Sequence, residues 1–269
     1  MAQFNKDEWI VIGEFSSLYS YCFTDLYVTS LVADPQWFLG AVLCRGSHVV
    51  HSLPRLPVSV ISGNMAQFNK DEWIVIGISG VTCGGKTTLA NKLKESLVPV
   101  YVFHQDKYFY PDDSPNHIKC VGLEHNNYDI LSALDMEKMM QDVLDTLNGK
   151  DKSHASNVVK SKGKKEIKGK KFLIVEGFTA LNYKPILDIC NLRYYFILEY
   201  AACASRRALR LYSPPDVAGY FDGCVWPAHL RYRAEIEKDR RVILLDGTRP
   251  DVFETVMNDV TALGAVSVE

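Results

Sequence analysis

Gly80-Val81-Thr82-Cys83-Gly84-Gly85-Lys86-Thr87 sets four free positions between two glycines, then a lysine and a hydroxyl. A backbone with that spacing wraps polyphosphate. Its N–H groups point at the anion, the lysine ammonium reaches the β/γ-phosphates, and the threonine hydroxyl ligates Mg²⁺. The flanks suit this chemistry. Trp73-Ile74-Val75-Ile76-Gly77-Ile78 reads as a buried strand, and Thr88-Leu89-Ala90-Asn91-Lys92-Leu93 opens a helix whose positive dipole end faces the loop. A fortuitous glycine-rich turn is the competing reading, and the strand before it and the helix after it count against that.

Two carboxylates follow at the ends of further apolar runs. Residues 98–103 read as a second strand leading into Gln105-Asp106. Ligands of open α/β sheets bind beyond the carboxyl ends of strands, so Asp106 stands where it can take a proton from an attacking hydroxyl. A turn aspartate is an equal reading on position alone. Phe172-Leu173-Ile174-Val175-Glu176-Gly177 is a strand ending in an acid, placed to hold the water shell of Mg²⁺. Residues 192–198 and 242–248 read as the fourth and fifth strands. Between them, Arg206 and Arg210 are four apart, which predicts one helix face for both, with Arg207 pointing elsewhere. Guanidinium groups there would stabilise charge spreading on a transferring phosphoryl, although an ordinary charged surface helix fits as well. Pro214-Pro215 is expected to stop that helix and hinge a lid. Asp129 precedes a helix over residues 136–147 and reads equally as its N-cap.

The whole chain bounds the rest. With 269 residues, 47% of them hydrophobic, it can bury one sizeable core. A net charge of -2 gives no global basic field for nucleic acid. Seven scattered cysteines without a CxxC pair indicate neither a zinc knuckle nor a disulfide framework, and reduced thiols in the cytoplasm are the simplest account. Asp25, Asp34 and Arg45 interrupt the best candidates for a membrane span, and Lys6, Asp7 and Glu8 make a poor signal peptide. The segment 149–171 carries nine lysines against Asp151 and Glu166 without interleaved aromatics, which favours a solvated loop over a nucleic-acid patch.

One feature is not ordinary architecture. Residues 1–13 and 65–77 are identical, MAQFNKDEWIVIG. Only the second copy runs on into the phosphate loop. The stretch between them is poor in charge and has no sustained period. The expectation is that residues 1–64 are an extension of duplicated or read-through origin, non-native or disordered, and that Met65 begins the functional domain 65–269. A genuine extra module is the rival. Two identical strands cannot share one central slot of a sheet, so the first copy would be displaced, for instance to an edge.

Several runs then match together in order. They are Ile78-Ser79-Gly80-Val81-Thr82, Gln105-Asp106, Tyr128-Asp129, Val175-Glu176-Gly177-Phe178, Asn182-Tyr183-Lys184-Pro185, Arg206-Arg207, Arg210, Tyr212, Pro214-Pro215-Asp216, Gly219-Tyr220-Phe221-Asp222-Gly223 and Val225-Trp226-Pro227. From about Glu72 onward, and more weakly through the lysine-rich loop, the chain resembles nicotinamide riboside kinase. The resemblance implies a phosphate-loop NTPase fold of the nucleoside/nucleotide kinase type, three layers α/β/α around a parallel sheet, with a helical lid. It implies an enzyme that moves the γ-phosphoryl of ATP to the ribose 5′-hydroxyl of nicotinamide riboside, and of nicotinic acid riboside too. A monomer is expected, with a weak oligomer as the alternative.

The same resemblance distributes roles. Asp106 would be the base, with Lys86, Arg206 and Glu176 completing the catalytic set and Thr87, Asp106 and Glu176 serving Mg²⁺. ATP would lie on Gly80, Val81, Thr82, Cys83, Gly84, Gly85, Lys86, Thr87 and Thr88, on Arg206, Arg210, Leu211 and Tyr212 of the lid, and on Arg249, Pro250 and Asp251 beside adenine. The riboside would meet Asp106, Lys107, Tyr108, Phe109, Tyr128, Asp129, Arg207, Tyr212 and Ser213. Asp106 and Asp129 would take the ribose hydroxyls. Tyr128 and Tyr212 would sandwich a cationic pyridine ring, which two electron-rich faces favour by about 0.5–2 kcal/mol.

Departures from the family pattern are Cys83-Gly84 for Asn-Ser, Ser213 for Gln, and Ala201, Ala202 and Ala204 for charged residues near the lid. Cys83 is expected to be an oxidisable thiol. Uridine/cytidine and pantothenate kinases share the loop but not the Tyr128/Tyr212 pair within these flanks. A GTP switch would need a guanine clamp, and Asn69-Lys70-Asp71-Glu72 lies on the wrong side of the loop to be one. A catalytically inactive binding protein is the remaining alternative; retention of Lys86, Asp106 and Glu176 argues against it.

Overall fold

A computed structural model describes residues 68–150 and 165–266, together with four two-residue strands earlier in the chain. The chain divides into two compact units, Met1–Met65 and Ala66–Glu269. In the first unit Leu26–Tyr27 pairs antiparallel with Leu43–Cys44, and Ala33–Asp34 with Trp37–Phe38. The first copy of the duplicated segment and most of the lysine-rich loop lie outside the described residues.

The second unit is built on five parallel strands: β1 (Trp73–Gly80), β2 (Val100–His104), β3 (Lys171–Glu176), β4 (Leu192–Ile197) and β5 (Ile243–Asp246). Their spatial order is β2-β3-β1-β4-β5. All eight residues of β1 are buried, as a central strand covered on both faces requires. Alternate residues supply two cores. Trp73, Val75, Leu173, Val175 and Tyr195 face α2 (Met136–Leu147), α3 (Lys184–Ile189) and α5 (Trp226–Ile236). Ile74, Ile76, Ile78, Phe172 and Ile174 face α1 (Lys86–Ser96) and α6 (Val252–Val266). The result is the three-layer arrangement expected from the sequence.

The lid segment differs from expectation. Its helix α4 is Tyr200–Ala208, so Arg210 lies beyond the helix end and shares no helical face with Arg206. The prolines do not stop it either, because it has ended six residues before Pro214. Asp129 is not a helix cap: Asp135 caps α2, its carboxylate accepting from the Lys138 N–H at 2.9 Å.

Candidate active site

Parallel register brings the acids to the phosphate loop. Glu176 at the end of β3 stands beside Ile78 of β1 on one side and His104 of β2 on the other. The loop leaves β1 two residues later. Gly80 has φ 118°, and a Cβ there would overlap the backbone of Phe196 on β4, so only glycine turns the chain here. Cys83 is the non-glycine residue of the described chain with positive φ, at 58°, a left-handed conformation that asparagine adopts more readily.

Around this turn the phosphate chemistry is assembled. Lys86 is buried, and its Nζ donates to the Val81 carbonyl at 2.7 Å. Burial lowers its pKa, opposed by the charges of Glu176 and Asp106. The Thr87 hydroxyl donates to Glu176 Oε1 at 3.0 Å, while His104 Nδ1 holds Oε2 at 2.9 Å. Burial works against the Glu176 charge, yet the His104 hydrogen bond, Lys86 and Thr87 together hold its carboxyl below the usual range. Asp106 lies on an exposed stretch of a 3₁₀ turn, Gln105–Tyr108, directly after β2. Desolvation and the Glu176 charge push its pKa up, while Lys86 and Arg210 pull it down. A carboxylate so placed has the basicity and access a general base needs.

Thr87 and the Glu176 carboxylate are hard oxygen donors set side by side. Two oxygen donors side by side suit Mg²⁺, which keeps most of its waters and takes substrate phosphate oxygens.

A second cluster stands across the loop. Arg207 is buried and grips Asp216 with two hydrogen bonds, Nε to Oδ2 at 2.6 Å and Nη2 to Oδ1 at 3.0 Å. Its guanidinium covers the Tyr212 ring at 4.3 Å and approaches Asp129 at 3.9 Å. Burial works against its charge, but Asp216 and Asp129 raise its pKa above the ordinary arginine value. The Tyr212 hydroxyl reaches Thr82 Oγ1 at 3.2 Å, which seats that ring against the phosphate loop. Arg206 lies over the loop as well, Nη1 donating to the Cys83 carbonyl at 3.1 Å. Tyr128 is held through its hydroxyl by Asp112 at 2.9 Å and packs edge-on against Phe109, which stacks on Phe178.

Tyr108 turns into the core, its hydroxyl donating to Asp142 of α2 at 3.0 Å. Lys107, Leu211 and Ser213 are exposed side chains. Arg249 and Pro250 line a groove of about 160 Å³ together with Gly84 and Gly85 of the phosphate loop and with Thr88 and Phe196, and Asp251 pairs with Arg249. Two pairings were not legible in the sequence: His104 with Glu176, and Asp216 with Arg207. The signal for His104 is its register opposite Glu176, which needs the strand order. Asp216 reaches back from the segment after α4 to Arg207 on that helix, where no period marks the contact.

No family model matches the chain. Nicotinamide riboside kinase 1 of Rattus norvegicus is 41% identical over 192 residues, covering 69% of this chain and 93% of that protein. Nicotinamide riboside kinase 2 of Homo sapiens is 37% identical over 191 residues, 70% of this chain and 80% of that protein. Uridine kinase of Clostridium novyi (strain NT) is 27% identical over 195 residues, 68% of this chain and 92% of that protein.

Proposed function

The chain belongs to the nicotinamide riboside kinase family, and from that premise we propose that it moves the γ-phosphoryl of ATP to the 5′-hydroxyl of nicotinamide riboside, giving nicotinamide mononucleotide. Nicotinic acid riboside is the second substrate of the same site. The observation that carries the reading is the convergence of Lys86, Thr87, Glu176 and Asp106 at the carboxyl ends of β1, β2 and β3.

Asp106 takes the proton of the attacking hydroxyl, and its raised pKa suits that task. Lys86 and the loop N–H groups bind the β/γ-phosphates, and Arg206 adds positive charge from the lid. Mg²⁺, held by Thr87 and through the water shell by Glu176 and Asp106, would neutralise charge on the phosphate oxygens. His104 fixes the Glu176 carboxylate, and the shared hydrogen bond places the imidazole proton on Nδ1. Arg249 and Pro250 flank adenine in the groove beside Gly85. Asp129 and Arg207 take the ribose hydroxyls, and Tyr128 and Tyr212 face the cationic ring.

Residues 1–64 are dispensable in this account, and the kinase domain works as a cytoplasmic monomer. Among the described residues no helix is long and apolar enough to cross a membrane. The test is Mg²⁺- and ATP-dependent formation of nicotinamide mononucleotide by the purified full-length chain and by residues 65–269. Product from both supports the whole reading. Product from the full chain alone makes the first 64 residues functional, and product from neither removes the kinase assignment.

A further inference from the structure

Tyr220 is 1% exposed, the most enclosed tyrosine of the lid, and nothing in the chemistry above uses it. It precedes a π-turn, Phe221–Val225, that leads directly into α5. Single π-turns occur frequently at functional sites. The Tyr220 ring packs against His125 at 4.6 Å between centroids. Its hydroxyl does two things at once. It accepts from the Tyr128 backbone N–H at 2.9 Å and donates to Asp129 Oδ2, also at 2.9 Å. One phenol therefore fixes both the backbone that carries the Tyr128 ring and the carboxylate beside it. The Arg207 guanidinium lies 5.6 Å from the same ring and 3.9 Å from the same Asp129 oxygen. Oδ2 is thus committed to the protein, and among the described residues no hydrogen bond reaches Oδ1.

We propose that Tyr220 is a positioning residue for riboside recognition: it commits Asp129 Oδ2 to the fold and presents Oδ1 to the ribose hydroxyls, while locking the Tyr128 backbone. Its two hydrogen bonds go to Tyr128 and Asp129, at the riboside end. The inference rests on the reading of Asp129 as a ribose ligand.

The experiment is Tyr220→Phe in the full chain, which removes one oxygen and keeps the ring. Riboside KM is expected to rise about tenfold, with ATP KM and kcat within about twofold. Preference for the riboside over its 2′-deoxy and 3′-deoxy analogues should fall by a similar factor for at least one of them, a change that a loosened scaffold would not single out. Asp129→Ala serves as the reference. On that background Tyr220→Phe should add less than about twofold, because the two residues act as one unit. An unchanged riboside KM in Tyr220→Phe, with Asp129→Ala impaired, overturns the proposal alone. Full additivity of the two variants also overturns it. An unimpaired Asp129→Ala removes the ribose reading and the proposal with it.

Discussion

The two ends of this cleft are made differently. At the phosphate end nearly every group hangs on the sheet or on the first turn of α1. Thr87 and Glu176 meet although 89 residues separate them, because β1 and β3 are adjacent and in register. At the riboside end the groups hang on one another. Asp129 is oriented by Tyr220, 91 residues away, Arg207 by Asp216, and Tyr212 by Thr82. The first end takes its precision from backbone geometry shared by many enzymes. The second takes it from side-chain contacts between α4, the loops and the phosphate loop's Thr82, where one substitution can retune specificity.

That contrast orders the expected effects. Lys86→Ala removes the buried ammonium from the phosphate end and should lower kcat by about 10³-fold, read by steady-state kinetics. Asp106→Ala should lower kcat by about 10²-fold or more with ATP binding retained, checked by calorimetry with Mg²⁺-ATP; a variant keeping most of its rate would show that Asp106 is not the base. Asp216→Asn leaves the Arg207 charge with a poorer partner. It should cost about 2 kcal/mol in urea denaturation and raise riboside KM while sparing ATP KM. An equal rise in both would erase the division between the ends.

The smallest effect is one of pH. Desolvation raises the Asp129 pKa, with Arg207 and Tyr220 opposing it. A raised value means the carboxylate gains its proton before ordinary acids do as pH falls. Riboside KM should therefore climb on acidification, starting above the usual carboxylate range, and Asp129→Asn should flatten that limb. The linked sign for stability is that charge on Asp129 weighs against the fold as pH rises through its folded value.

The same division explains what was readable in the sequence. The strands, the phosphate loop, α2, Lys86, Thr87 and the strand-end position of Glu176 all follow from apolar runs and spacing, which act locally. Arg210 was misplaced because helical periodicity does not reveal that α4 stops at Ala208. Asp129 could not be told from a cap until Asp135 was seen to fill that role. His104 carries no local signature, and the matched runs that hold Asp216 and Tyr220 do not reveal their partners, which lie on α4 and on the loop before α2. Tyr108 shows the converse. Its place in a shared motif suggested the cleft, but its side chain packs on α2.

On the proposed function, the riboside network, and not only the phosphate loop, selects the substrate. Nicotinamide riboside and uridine offered together with Mg²⁺-ATP to the purified full-length chain test it directly. Nicotinamide mononucleotide as the main product is the expected result. Uridine monophosphate as the main product would leave the phosphate end standing and contradict the assignment of the riboside end.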